Sequence, residues 1–329
     1  MTLLTNIPGG FITMINIYRK ITTTLLLLTP LLFIVTGAAP AMAAAAKNSQ
    51  QTFASPEEAL QSLVKTVRSN DTKALTFILG PGSKEIISSG DPVADKTGRE
   101  QFVKLYDEKV VIEGAETGRA VFSIGNEDYP HPIPLVKKGT AWRFDTRAGK
   151  EELLNRRIGR NELDVIEILR TYVDAQREYA LRSRDRGGLL EYAQKFGSEK
   201  GKQDSLYWEA NEGEEQSPLG PLAAKAAREG YTRTKSGEKP SPYHGYYYKI
   251  LKTQGENAMG GAYDYVVKGK MIGGFALVAY PAEYGNSGVM TFMVNHEGAV
   301  YQKDLGKETE KIVGAMKNYN PDKTWKKVE

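Results

Sequence analysis

The chain has 329 residues, no cysteine, and 44 basic against 40 acidic side chains, a formal charge of +4. That length supports two domains of ordinary size, each with its own core. The missing cysteine excludes disulfides, thiolate metal sites and cysteine nucleophiles, and near-neutrality without a lysine and arginine stripe speaks against nucleic acid as a partner.

Arg19 and Lys20 precede the apolar run ITTTLLLLTPLLFIVTGAA, and Ala41 to Ala43 reads Ala-Met-Ala, small residues at the two positions that a signal peptidase inspects. Residues 1–43 are therefore expected to be a signal peptide cut near Ala43, leaving a protein that is periplasmic or extracellular. The run is short, contains Pro30 and ends in alanines, so no stable membrane span is expected after processing. The basic pair lies far from Met1, which leaves Met14 as an alternative start. The stretch GGFITMINI, 9–17, resembles a prepilin processing site, but Ile15 stands where such sites carry glutamate and Arg19-Lys20 interrupt the apolar helix.

Residues 44–51 read as a linker, and 52–147 as a first α+β domain. Ser55-Pro56-Glu57-Glu58 caps an amphipathic helix with Ala59, Leu60, Leu63, Val64 and Val67 on one face. A second helix is expected at Thr72 to Leu79, and a third at Gly98 to Glu108. The period then changes to strands in KVVIEG, GRAVFSIG, HPIPLVKK and TAWRFD. A second α+β domain is expected over 148–329. It opens with a long helix over 148–184, either unbroken or jointed near Gly159, whose stripe runs through Ile158, Glu162, Val165, Ile166, Leu169, Tyr172, Val173 and Gln176. RDRGGLLEYAQKF reads as a loop returning into a short helix, Ser217 to Glu229 as an alanine-rich helix, and TRTKSGEKPSP as a loop. From Tyr243 the chain is nearly all strand, including a hairpin that turns at Asn295 to Gly298, before a closing helix at Glu308 to Lys317.

Candidate chemistry is sparse. SRDRGGLLEY resembles a degraded calcium loop with Asp185 and Glu191 as the surviving acids, but two arginines oppose a cation, and a helix-terminating loop is expected. His131, His244 and His296 lack metal-ligand spacing, so neither a metal nor another cofactor is expected. The stretch PYHGYYYK alternates so that His244, Tyr246 and Tyr248 share one face, and with Tyr243 and Tyr284 these form the candidate binding residues, since stacked rings with polar tips suit a sugar or peptide groove. YGNSGVM raises the alternative of a hydrolase using Ser287, His244 and Glu283, although the stretch lacks a strand-to-helix elbow. Arg156, Arg157 and Arg160 in NRRIGR, with Lys150 upstream, read as a solvated helix face or a contact for an anionic envelope polymer.

Three helices followed by a meander, bounded by SPEEAL and WRFD, resemble the cone-shaped NTF2-like fold, in which a curved sheet wraps a helix and leaves a pocket. NELDVIEILRTYVDAQREYA, GYYYKI and FALVAYPAEYGNSGVMTFMVNHEGAVY are similar to the long helix and antiparallel sheet of the type IV pilin and pseudopilin head. FASPEEAL, ISSGDPVAD, WRFDTRAGKEELLNRRIGRNEL, YHGYYYKIL and GGFALVAYPAEYGNSGVMTF also resemble a bacterial secreted family catalogued as domain of unknown function 2950, which implies no activity. The expected role is that of a non-catalytic binding or structural module whose partner is an envelope protein or polysaccharide.

Overall fold

The computed structural model describes residues 50–232 and 240–329; the expected leader and most of the expected linker, 1–49, and residues 233–239 lie outside the described residues. It is a mixed α+β protein with antiparallel sheets and one long helix.

Helix α1, Pro56–Arg68, begins as the sequence dictates: the Ser55 hydroxyl accepts from the Glu58 amide at 3.2 Å, and Pro56 fills the first turn, where no amide donor is needed. Its apolar face, Ala59, Leu60, Leu63, Val64 and Val67, is buried. Helices α2, Thr72–Leu79, and α3, Lys84–Ile87, follow. Helix α4 spans Pro92–Glu108, starting six residues before the expected Gly98. The signal for the true start is Asp91-Pro92: one Asp91 oxygen accepts from the Val93 and Ala94 amides at 3.1 Å each. Strands β1, Val110–Glu113, β2, Arg119–Ile124, β4, Leu135–Lys138, and β5, Ala141–Phe144, pair in that order, with the short β3, Tyr129–Pro130, added beside β2. Phe53, Leu60, Ile78, Phe122, Ile133, Leu135, Trp142 and Phe144 belong to the first hydrophobic core.

Helix α5, Thr146–Gly187, is one helix of 42 residues that passes through Gly159 without a break. Its first turns press on the connection between β3 and β4 at Gly149, where an added Cβ would lie 2.4 Å from the Pro132 carbonyl oxygen. Val165, Leu169, Tyr172 and Val173 enter a second core. Beyond Gly188, whose φ of 74° ends the helix, the expected short helix is absent. The chain there is extended because its backbone is already paired: Tyr192 donates to the Met271 carbonyl, and Ala193 exchanges two hydrogen bonds with the buried Gln176 amide. Helix α6, Gly220–Arg228, is shorter than expected.

The second sheet runs β15, β13, β12, β11, β6, in which β6 is Tyr246–Leu251, β11 Ala276–Pro281, β12 Met290–Asn295, β13 Tyr301–Asp304 and β15 Lys326–Lys327. The hairpin of β12 and β13 turns where the sequence placed it, with Phe292 opposite Gln302. Small pairings add β7, Thr253–Gln254, with β8, Tyr263–Asp264, and β14, Asn318–Tyr319, and separately β9, Val266–Val267, with β10, Lys270–Met271. Helix α7, Thr309–Ala315, closes the chain's last helical turns and is shorter than the expected 308–317. None of the helices among the described residues is long and apolar enough to cross a membrane.

Two glycines on neighbouring helices are expected to answer alanine with opposite signs. Gly98 sits inside α4 with helical backbone and nothing within 4 Å of an added Cβ, so Gly98→Ala should stabilise by about 0.5–1 kcal/mol. Gly149→Ala must push the Pro132 carbonyl aside and should cost at least about 2 kcal/mol. Urea unfolding midpoints of the two variants check both.

Candidate functional site

Between α4 and the first sheet lies a cavity of about 510 Å³. Its walls are apolar, with Leu63, Leu75, Phe102, Leu105, Ile124 and Leu153 among them, and its polar residues include Asp95, Arg99, His131, Arg156, Arg157 and Arg160. The cavity explains a feature of α4: although it carries Phe102, Val103, Leu105 and Tyr106 toward the first core, not one residue of this helix is fully buried.

The arginines are not equivalent. Arg157 on α5 donates to the Glu85 and Ile86 carbonyls at 2.6 and 2.7 Å and to Asn286 Oδ1 at 2.5 Å, so its guanidinium is held by the end of α3 and by the YGNSG turn. Arg99 on α4 donates to the next carbonyl, Ile87, at 3.1 Å, while its Nε is buried without a hydrogen-bond partner among the described residues. Arg156 pairs with Glu152 at 2.6 Å, stacks 4.9 Å over the Tyr129 ring and donates to the Pro130 carbonyl. Arg160 is exposed. Asp95, the acid at this rim, accepts the Ser89 amide with both oxygens, at 3.2 and 3.0 Å.

His131 stacks on Phe122, ring centroids 4.4 Å apart, with Phe102 against its edge. Burial lowers its pKa to about 4, and the Arg156 charge acts in the same direction, so the ring is neutral at ordinary pH. Its Nδ1 lies 3.2 Å from the Ile133 amide and 3.4 Å from the Ile133 carbonyl, so this nitrogen is engaged by one backbone residue.

A second polar cluster joins the two cores. The other Asp91 oxygen accepts from the Tyr231 hydroxyl at 2.8 Å and the Gly245 amide at 2.9 Å. Burial, together with the Asp91 charge, raises the Tyr231 pKa and keeps it a donor. Asn286, almost wholly buried, donates to the Ser88 carbonyl and to Glu283 at 2.9 and 2.8 Å. Asn161 donates to the Ser287 carbonyl, and one Glu162 oxygen takes the Val289 and Met290 amides at 3.0 and 2.9 Å. Gly245 must be glycine: its φ is 74°, and a Cβ would lie 2.5 Å from Asn161 Nδ2.

His244 does not lie in the strand. It sits in a turn with a φ of 49°, and β6 begins two residues later, so the expected alternation of His244, Tyr246 and Tyr248 on one face starts only at Tyr246. The ring is held between Asp164, 2.8 Å from Nδ1, and Glu229, 3.2 Å from Nε2, and packs edge-on against Tyr243. Both ring nitrogens thus face carboxylates, an arrangement that is satisfied only by the imidazolium. Burial opposes the charge, but the Asp164 hydrogen bond and the two carboxylates outweigh it, and the His244 pKa lies above 6.5. The same bond holds Asp164 below the ordinary 3.8.

The structure therefore brings Tyr243 and His244 together with Tyr248, whose hydroxyl donates to the Tyr243 carbonyl at 3.3 Å. Tyr246 is fully buried, its hydroxyl bonded to the Met290 carbonyl at 3.0 Å, and Tyr284 stands on the hairpin side with Asp304. The buried Ser287 hydroxyl accepts from the Glu283 amide and donates to the Glu283 carbonyl, and His244 is bonded elsewhere. Glu191 pairs with Lys270 at 3.3 Å, and the Asp185 side chain lies outside the described residues. His296 is separate again, on the turn after β12. Sequence reading missed Asp91, Arg99, Asp164 and Tyr231; the Asp91-Pro92 cap was the one available signal.

A two-core α+β chain with a ligand-sized cavity on one core and a polar clasp between them is the class this geometry defines. A family profile described as "Protein of unknown function (DUF2950)" matches residues 50–328, so the chain belongs to that family. No curated protein and no solved structure matches it.

Two outcomes test the clasp. Asp91→Asn strands the donors of Tyr231 and Gly245 and should cost about 2 kcal/mol or more by chemical unfolding. The stability that His244 adds is fully present below 6.5 and is lost as pH rises through its raised folded value, whereas His131, lowered to about 4, and His296, also lowered, cost stability as pH falls below 6.5. The unfolding-midpoint gap between the unaltered protein and His244→Gln should accordingly narrow from about pH 6 to about pH 9; a gap that stays constant refutes the charged clasp.

Proposed function

We propose that the protein is a non-catalytic ligand-binding module of the bacterial cell envelope, exported by the leader cut near Ala43, and that its ligand site is the cavity between α4 and the first sheet. The observation that carries this reading is that cavity of about 510 Å³, within the roughly 300–1,000 Å³ of small-molecule pockets, lined by apolar side chains with a few convergent polar groups. The finer fold readings belong to the same proposal. Helices followed by an antiparallel meander beside a pocket support an NTF2-like module at about 52–147, and the long helix leading to an antiparallel sheet supports a pilin-head-like module beyond it.

The hydrolase alternative draws less support, because the Ser287 hydroxyl is occupied by the Glu283 backbone and the Glu283 carboxylate by Asn286. A polymer or protein partner would be sought at Tyr243 and Tyr284, which keep exposed surface.

The test is native mass spectrometry of the protein after incubation with envelope extract and repurification. A bound small molecule is expected on the unaltered protein and absent from Leu153→Trp and Ala94→Phe, two cavity-filling variants. If no small molecule is retained, or if both folded variants retain it, the cavity is not the binding site.

A further inference from the structure

We infer that the cavity takes an anionic amphiphile: an apolar chain or ring system lying under α4, with a single carboxylate or phosphate head at the guanidinium-lined rim. This rests on the binding reading above and names its ligand class.

The apolar half of the ligand follows from α4. A helix of 17 residues that turns Phe102 and Leu105 toward a core without fully burying either has side chains facing unfilled apolar space. A hydrocarbon body placed there removes those surfaces from water, the driving force for burying any apolar group. A wholly polar ligand such as a sugar would instead set its hydroxyls against leucine and phenylalanine with nothing to bond to.

The anionic half follows from the charges. Arg99, Arg156, Arg157 and Arg160 line the cavity with one acid, Asp95, and His131 adds no charge. Arg157 is held by two carbonyls and Asn286, and Asp95 is occupied by the Ser89 amide. Arg99 is different: its Nε is buried and unpaired, a cationic donor aimed at no protein acceptor. A buried donor in that condition is costly, and an anionic oxygen is the partner that relieves it best. The exposed Arg160 supplies further donors on the same lining. One unpaired buried guanidinium nitrogen suits one anionic head; a cationic or neutral amphiphile gains nothing from this rim.

The experiment is isothermal titration calorimetry with four twelve-carbon probes below their micelle concentrations: dodecanoate, dodecyl phosphate, dodecanol and dodecylamine. At least one anion is expected to bind one-to-one, with dodecanol about tenfold weaker or more and dodecylamine not at all. Arg99→Gln should weaken the anion about tenfold or more and leave dodecanol unchanged. The carboxylate and phosphate arms tell the two head groups apart. Equal binding of dodecanol, or an Arg99→Gln variant that binds the anions as well as before, overturns the anionic assignment and leaves the cavity reading intact. If no probe binds while envelope extract still loads the protein, the amphiphile class is wrong; if extract loads nothing either, the binding reading fails with it. Should Arg99→Gln not fold, the exposed Arg160→Gln carries the same comparison, with a drop of about threefold expected for the anions and none for dodecanol.

Discussion

Because α5 is one helix of 42 residues, about 60 Å long at the usual rise per residue, its first turns belong to one hydrophobic core and its later turns to another. Its continuity through Gly159 therefore decides where every contact between the cores falls. The α5 residues that take part in those contacts, Arg157, Asn161 and Asp164, are spaced by four and three, and so stand on one face of the helix. Lys150, a further seven residues back, bonds Glu85 on α3 from the same face at 2.9 Å. One side of α5 grips α3, the YGNSG turn and the His244 turn in succession.

That grip is polar, and polar contacts of this kind add little net stability, since each group gives up water to make them. Their effect is on geometry. Asp91, Asn161 and Asn286 are nearly or wholly buried, and each has donors or acceptors that find partners only in the observed docking. A different docking of the two cores would leave those groups unpaired, at about 1–3 kcal/mol each. The apolar cores make the two halves fold, and the polar seam makes them meet in one way.

Much of the fold was legible because it depends on local pattern. The Ser55-Pro56 cap, the period-two runs that become β1, β2, β4 and β5, and the β12 to β13 hairpin all obey rules that act within a few residues. The errors came where a distant group takes over. The stretch after Gly188 has the composition of a short helix, but Gln176 and Met271 claim its backbone. Glu162 read as one more member of the buried stripe of α5, yet it is there to cap the two amides at the start of β12. The site was less legible still. His244 and the tyrosines were visible as residue types, but Asp164, Glu229, Asp91 and Tyr231, which decide what they do, come from three other segments.

The arginines show why composition could not have located the cavity. In NRRIGR, and at Arg99, the sequence presents identical cations on helices, and a solvated face is the natural reading of them. What separates them is how many of their five donors find protein acceptors. Arg157 faces the carbonyls of residues 85 and 86 because α3 ends there, and with Asn286 it becomes part of the framework. Arg99 reaches only the next carbonyl of the same helix end, and its buried Nε is left without a protein acceptor. The short α3 thus sorts two identical side chains, one bound into the framework and one that keeps a buried donor unpaired, and the sorting is done by a shortage of carbonyls that becomes visible only when α3, α4 and α5 are folded against one another.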